Sequence, residues 1–100
     1  MNPLLLLLAL STAPTVAVPP EVAAFVTDRD ACEHFRGEPI EGDLPEQIAR
    51  RAFVQESLEI YCAGTDRRLA ALKTRYAANM AVMSALGGYE QAIEGPGCGP

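Results

Sequence analysis

Apolar residues recur along most of the chain at helical spacing, and no stretch alternates as a half-buried strand would. After Pro19-Pro20-Glu21, the residues Val22, Phe25 and Val26 share one helical face. Proline is tolerated in a first helical turn, and Glu21 suits the positive end of the helix dipole. Asp28 is placed to cap a fresh turn from Arg29 to Phe35, which carries Cys32, and Gly37 stops it. A loop follows, punctuated by Gly37, Pro39, Gly42 and Pro45, with Leu44 expected to anchor its end to the core. Glu46 to Cys62 reads as a second helix that is apolar on two sides. Ile48, Ala49, Ala52, Phe53 and Ile60 take one side, and Val54, Leu58 and Tyr61 take nearly the other. A helix of this kind is sandwiched between neighbours or paired in a dimer. Thr65 to Leu86 holds no Gly or Pro. Leu69, Leu72, Tyr76, Met80 and Met83 form a narrow stripe there, too short for a coiled coil and suited to core packing. The span is either one long helix or two, split at Ala78-Asn79. Gly87-Gly88 ends it, and Tyr89 to Ile93 is expected to add one turn. The pattern therefore predicts an all-α fold, a small bundle of three to four helices.

One corner organises this layout. Tyr61 to Leu69 reads as a helix end, a tight turn and a helix start. Gly64 suits the left-handed position after a helix, having no Cβ to clash there. Thr65 is expected to serve as the next N-cap, and Asp66 places negative charge in the first turn. Cys62, on the last turn before the corner, is available to tie it to a distant segment.

The N-terminal residues set the compartment. Leu4 to Leu8, Ala9 and Leu10 precede a stretch rich in small residues and proline, the pattern of a secretory signal peptide with a cut after Ala17. No Lys or Arg precedes the leucines, so the terminal amine alone supplies the usual positive charge. An uncleaved anchor is the alternative, but Leu4 to Val18 is broken by Pro14 and falls short of the roughly 20 apolar residues that span a bilayer. No cysteine stands at the cut, which argues against a lipoprotein. The expected division is a leader at 1–17, a helical domain at 18–94 and a disordered Gly/Pro tail at 95–100, with no stable membrane insertion after cleavage. The mature form is then periplasmic or secreted, and an oxidising compartment makes a disulfide the default. Cys32 and Cys62 lie in predicted helices and Cys98 in the tail, so the expected pair is Cys32–Cys62. Closing that loop stabilises by about 3–4 kcal/mol in the chain-entropy model. Cys98 is left as a free thiol, an intermolecular link or a replacement partner, and its spacing leaves all three open.

The net charge of −5 hides a division. Acids dominate from Glu21 to Glu46, whereas Arg50, Arg51, Arg67, Arg68, Lys73 and Arg75 shift the balance from Gln47 to Gly88. Either the two regions complement each other within the fold, or the cations form an anion-binding face. An overall negative chain is a poor ligand for nucleic acid in both cases.

No residue set demands chemistry. His34 is the single histidine, with Asp30 four residues before it and Glu33 beside it. Joined by Glu33, Glu38 or Asp30 it would offer one nitrogen among flexible carboxylates, without the spacing of a zinc motif, so neither a metal nor another cofactor is expected. A cysteine nucleophile needs a free thiol, and the tail gives Cys98 no fixed base. Ser57 and Ser84 have no histidine near them in sequence. Paired carboxylates for glycoside hydrolysis need a cleft, which so small a chain can hardly enclose. The expectation is a protein that is not an enzyme.

Two stretches resemble known groups. Asp30-Ala31-Cys32-Glu33-His34-Phe35-Arg36-Gly37-Glu38, then Cys62-Ala63-Gly64-Thr65-Asp66-Arg67-Arg68-Leu69 with Leu72 and Tyr76, resemble small exported bacterial proteins of unknown function. That resemblance covers about Asp28 to Glu94 and implies a periplasmic location and two paired cysteines, but no activity. Cys62, Asp66, Leu69 and Tyr76 are also similar to the pattern of bacterial lysozyme inhibitors of the LprI type. Position 70 is Ala where that family carries Asn, and the fuller cysteine set of that family is missing. The functional expectation is a non-catalytic binding module with an envelope protein as partner. The alternatives are an inhibitor of a cell-wall hydrolase and a homodimer linked through Cys98. Candidate contacts are Arg36, Arg67 and Arg68, which would enter an acidic cleft, and His34.

Overall fold

The computed structural model describes residues 18–95. The leader, its cleavage point, Cys98 and nearly all of the Gly/Pro tail lie outside the described residues. Within them are four helices and no strand: α1 Pro20–Arg36, α2 Pro45–Cys62, α3 Thr65–Arg75 and α4 Met80–Leu86. The all-α class is as the periodicity predicts.

α1 runs unbroken through Asp28, so no fresh turn starts there. No Gly or Pro lies between Glu21 and Arg36 to interrupt the backbone ladder. Asp28 instead accepts from Arg68 Nη1 at 2.8 Å. The core gathers Val22 and Phe25 from α1, Leu69 and Leu72 from α3, and Val82 and Leu86 from α4. Val18, Val26, Tyr76 and Tyr89 pack on its margin. Burying each of the larger side chains is worth about 1.5–3 kcal/mol.

The span from Thr65 to Leu86 is two helices. The α3 ladder ends as the Tyr76 NH donates to the Leu72 carbonyl at 2.9 Å. Asn79 then caps α4, its Oδ1 accepting from the Val82 NH at 3.0 Å. The break rotates the apolar stripe. Met80, expected in the core, is 86% exposed, and Val82 and Leu86 take the buried places. Tyr89 to Ile93 adds no helical turn. This segment is drawn across the bundle instead. The Tyr89 ring meets Phe25 edge-on at 5.5 Å, and its hydroxyl donates to Asp30 at 2.7 Å. Burial and that carboxylate push the Tyr89 phenol up to about 12.

α2 lies chiefly on α1. It buries only Val54 and Ser57, and the Cys32–Cys62 disulfide joins its end to α1 with the two Cα atoms 4.9 Å apart. It is not sandwiched within the described chain, because Ile48, Ala49, Ala52 and Ile60 are exposed while Val54 is buried. Leu44 does not anchor the preceding loop to the core. It is 56% exposed at the N-cap of α2, where its NH donates to Gln47 Oε1 at 3.0 Å. Among the described residues no helix is long and apolar enough to cross a membrane.

Candidate functional site

The corner between α2 and α3 is built as the glycine requires but not as the threonine suggests. Gly64 takes the left-handed conformation, φ +78°, and is itself the N-cap of α3. Thr65 is fully buried, and its hydroxyl donates to the Cys62 carbonyl at 2.7 Å. It closes the end of α2 rather than capping α3. The free NH groups at the start of α3 go to a residue 30 positions away from the corner glycine. Glu94 accepts from the Gly64 NH at 2.9 Å and from the Asp66 NH at 2.8 Å, a carboxylate at the positive end of the helix.

Asp66 returns the contact. Its carboxylate accepts from the Ile93 NH at 3.0 Å and the Glu94 NH at 3.0 Å, and from Arg29 Nη2 at 2.7 Å. Arg29 is wholly buried. Its two terminal nitrogens also donate to the Glu90 carbonyl, while Nε has no partner in the structure. Burial pushes the Asp66 carboxyl up, but the Ile93 and Glu94 NH groups and the Arg29 guanidinium outweigh it and hold it below the usual range. Residues 89–94 are thus a strap lashed across α1 and α3 by polar contacts.

Elsewhere the acidic front meets the basic half, as one of the two charge readings anticipates. Asp28 pairs with Arg68 at 2.8 Å, Glu21 with Arg75 and Glu38 with Arg50. The Tyr76 hydroxyl and Arg75 hold Glu21 below the usual carboxylate range, and Arg50 does the same for Glu38. These pairs are half exposed, so each contributes little.

The expected binding residues do not converge. Arg68 is engaged with Asp28 and lies 5.7 Å from the Phe25 ring centre. It lines one shallow groove, with Glu21, Ala24 and Arg75. Arg36, exposed, lines a different groove of about 340 Å³ beside the disulfide, with Leu58, Glu59, Cys62 and Ile93. Arg67 is exposed and in no ion pair among the described residues. His34 is 64% exposed, its Nε2 4.0 Å from Glu38 and its ring edge-on to Phe35. No group of three or more His, Cys, Asp or Glu side chains among the described residues is placed to hold a metal ion. Cys98, the remaining candidate, lies outside the described residues.

One feature was visible in the sequence without its meaning. The outward side of α2 carries Ile48 at 48%, Phe53 at 47% and Ile60 at 64% exposure, with Ala49 and Ala52 exposed between them. In the preceding loop Ile40 and Leu44 are also exposed, at 39% and 56%. The two-sided apolar pattern was the signal. Set against protein-family models, curated proteins and solved structures, the chain matches none.

Proposed function

We propose that this protein is a small exported module, periplasmic or secreted, that acts by binding a protein partner in the cell envelope rather than by catalysis. The bare apolar side of α2 carries this reading. Several large apolar side chains left half exposed on one helix of a small body are costly to keep in water, and such surfaces mark interaction sites. The disulfide supports export, because such bonds persist in oxidising compartments. The test compares two baits on the native envelope: the oxidised mature chain and its Ile60→Ser form. The expected result is one crosslinked protein captured by the first bait and lost with the second. Identical capture by both removes the reading. Mass spectrometry of the exported form is expected to show a chain beginning at Val18 with Cys32 and Cys62 joined.

Arg36 and Arg67 favour a second reading, an inhibitor of a cell-wall hydrolase. Both are exposed and stand outside the ion pairs that occupy Arg50, Arg68 and Arg75. They are the side chains free to enter an acidic cleft. A lysozyme turbidity assay tests it, and unslowed lysis at micromolar protein removes it.

A further inference from the structure

We infer that the outward side of α2 receives a cationic amphipathic helix of the partner, its apolar stripe flanked by Lys or Arg. This names the partner's chemistry and rests on the binding reading above. At 3.6 residues per turn, Ile48 and Ala52 stack, as do Ala49 and Phe53, and Glu56 and Ile60. That is the i, i+4 spacing by which a helix offers anchors to a second helix. Three large side chains of α2, Ile48, Phe53 and Ile60, are each about half exposed or more. Ile48 stands opposite the buried Ser57, whereas Phe53 sits at the margin with its ring edge-on to Phe35 of α1 at 5.6 Å.

Charge selects the occupant. Glu56 stands on this side, with Glu46 at its N-terminal edge and Glu59 at its border with the groove that Arg36 also lines, and all three are exposed. None of them has a cationic partner among the described residues, whereas Glu21, Asp28, Glu38 and Asp66 each have an arginine. The arginines of α2 itself are occupied. Arg50 holds Glu38 and lies over the Phe53 ring at 5.1 Å, and Arg51 donates to the Ile40 and Gly42 carbonyls. The side is therefore apolar and carries acids that no salt bridge among the described residues holds. Anionic lipid and nucleic acid are repelled by it. A second copy docked by two-fold symmetry would bring a second set of these acids to the interface and no free α2 arginine to meet them, and like charges across an interface are unfavourable. A helix with cationic flanks satisfies both the apolar anchors and the acids.

The probe is a synthetic peptide of about 18 residues, long enough to be helical, with Leu at i and i+4 and Lys on both flanks. Its controls are a scrambled peptide of the same composition and a Lys→Glu version. Anisotropy titrations use the oxidised mature chain at about 0.15 M salt, where long-range charge effects are screened. The expected result is that the striped peptide binds at least about tenfold more tightly than the scrambled one. The Glu56→Lys/Glu59→Lys double variant should reverse the preference toward the Lys→Glu peptide, and Ile60→Ser should erase the advantage of the stripe. All three positions are exposed, so circular dichroism should show each variant folded. Equal binding of striped and scrambled peptides overturns the inference, as does a dimer in sedimentation that Ile60→Ser dissolves. If Ile60 governs envelope capture but not peptide binding, the partner chemistry is wrong and the binding reading stands. If it governs neither, both fall.

Discussion

Asp66→Asn should remove about 2–3 kcal/mol of stability, a large part of what a domain this size possesses. Asp66 Oδ1 accepts from Arg29 and from the Ile93 NH, and Oδ2 accepts from the Glu94 NH. The asparagine keeps one acceptor oxygen but presents an NH2 to the Glu94 NH, donor against donor. Hydrogen bonds to a charged group are worth about 1.5–3 kcal/mol each, and the substitution weakens the two on Oδ1 while breaking the one on Oδ2. The wholly buried Arg29 then loses its counter-charge, the situation in which a buried pair becomes costly. Because the folded Asp66 carboxyl lies below its ordinary 3.8, the unfolded chain binds more protons in acid. Its contribution is therefore full above the unfolded value and lost as pH falls through the folded one. Urea melts at pH 7 and across the acid range measure both effects. The mutant should lose its excess instability as the pH drops, the two curves converging. In an Arg29→Met background the same Asp66→Asn change should cost less, since the guanidinium no longer waits for it. A cost below about 0.5 kcal/mol at pH 7, or one independent of Arg29, would refute the strap as a stabilising lock.

Four further outcomes follow from named contacts. Cys32→Ala/Cys62→Ala closes no loop across the 30-residue separation and should cost about 3–4 kcal/mol in thermal or urea melts. Asn79→Ala removes the acceptor for the Val82 NH and should cost about 1 kcal/mol, read as a lower urea midpoint at unchanged slope. Gly64→Ala should cost about 1–2 kcal/mol by conformation alone, since a Cβ there meets nothing within 4 Å while φ is +78°. Val54→Ala should destabilise by about 2 kcal/mol and Ile60→Ser by less than about 0.5, because Val54 is buried and Ile60 is 64% exposed.

What could be read from the chain was local. Helical spacing and Gly64 at its corner are decided by neighbours within a turn or two, and both stand in the structure. Between the one-helix and two-helix readings that the sequence left open, the structure decides for the split at Asn79. The cysteine pair was legible because Cys32 and Cys62 fall in segments with helical patterning, so compartment and pattern left few choices. The misreadings share one cause. Asp28 and Thr65 are good caps by local chemistry, but a distant arginine claims the first, and burial turns the second toward the Cys62 carbonyl. Arg29 gave no sign of being buried, because its partners, Asp66 and the Glu90 carbonyl, lie 37 and 61 residues away. Met80 fell off the core because a four-residue break, Tyr76 to Asn79, resets the helical phase that the stripe assumed. As for the candidate site, the arginines were chosen as cations, yet ion pairing within the fold decides which cations remain free.

The same accounting explains how the outward side of α2 can stay bare. A helix normally holds its place by burying a stripe, and α2 buries only Val54 and Ser57. The disulfide replaces much of that missing burial, since it fixes the C-terminal end of α2 to the fully buried Cys32 of α1. The strap performs the neighbouring task for α3, whose first turn is tied by Glu94 and Asp66 rather than by more apolar contact. With both sides of the corner clamped by covalent and charged contacts, Ile48 and Ile60 are left 48% and 64% exposed, and Phe53, edge-on to Phe35, still leaves 47% of its surface outside. Their presence in a helix whose other exposed positions include Glu56 and Glu59 is then a property of the surface, and it is on this surface that the proposed binding reading rests.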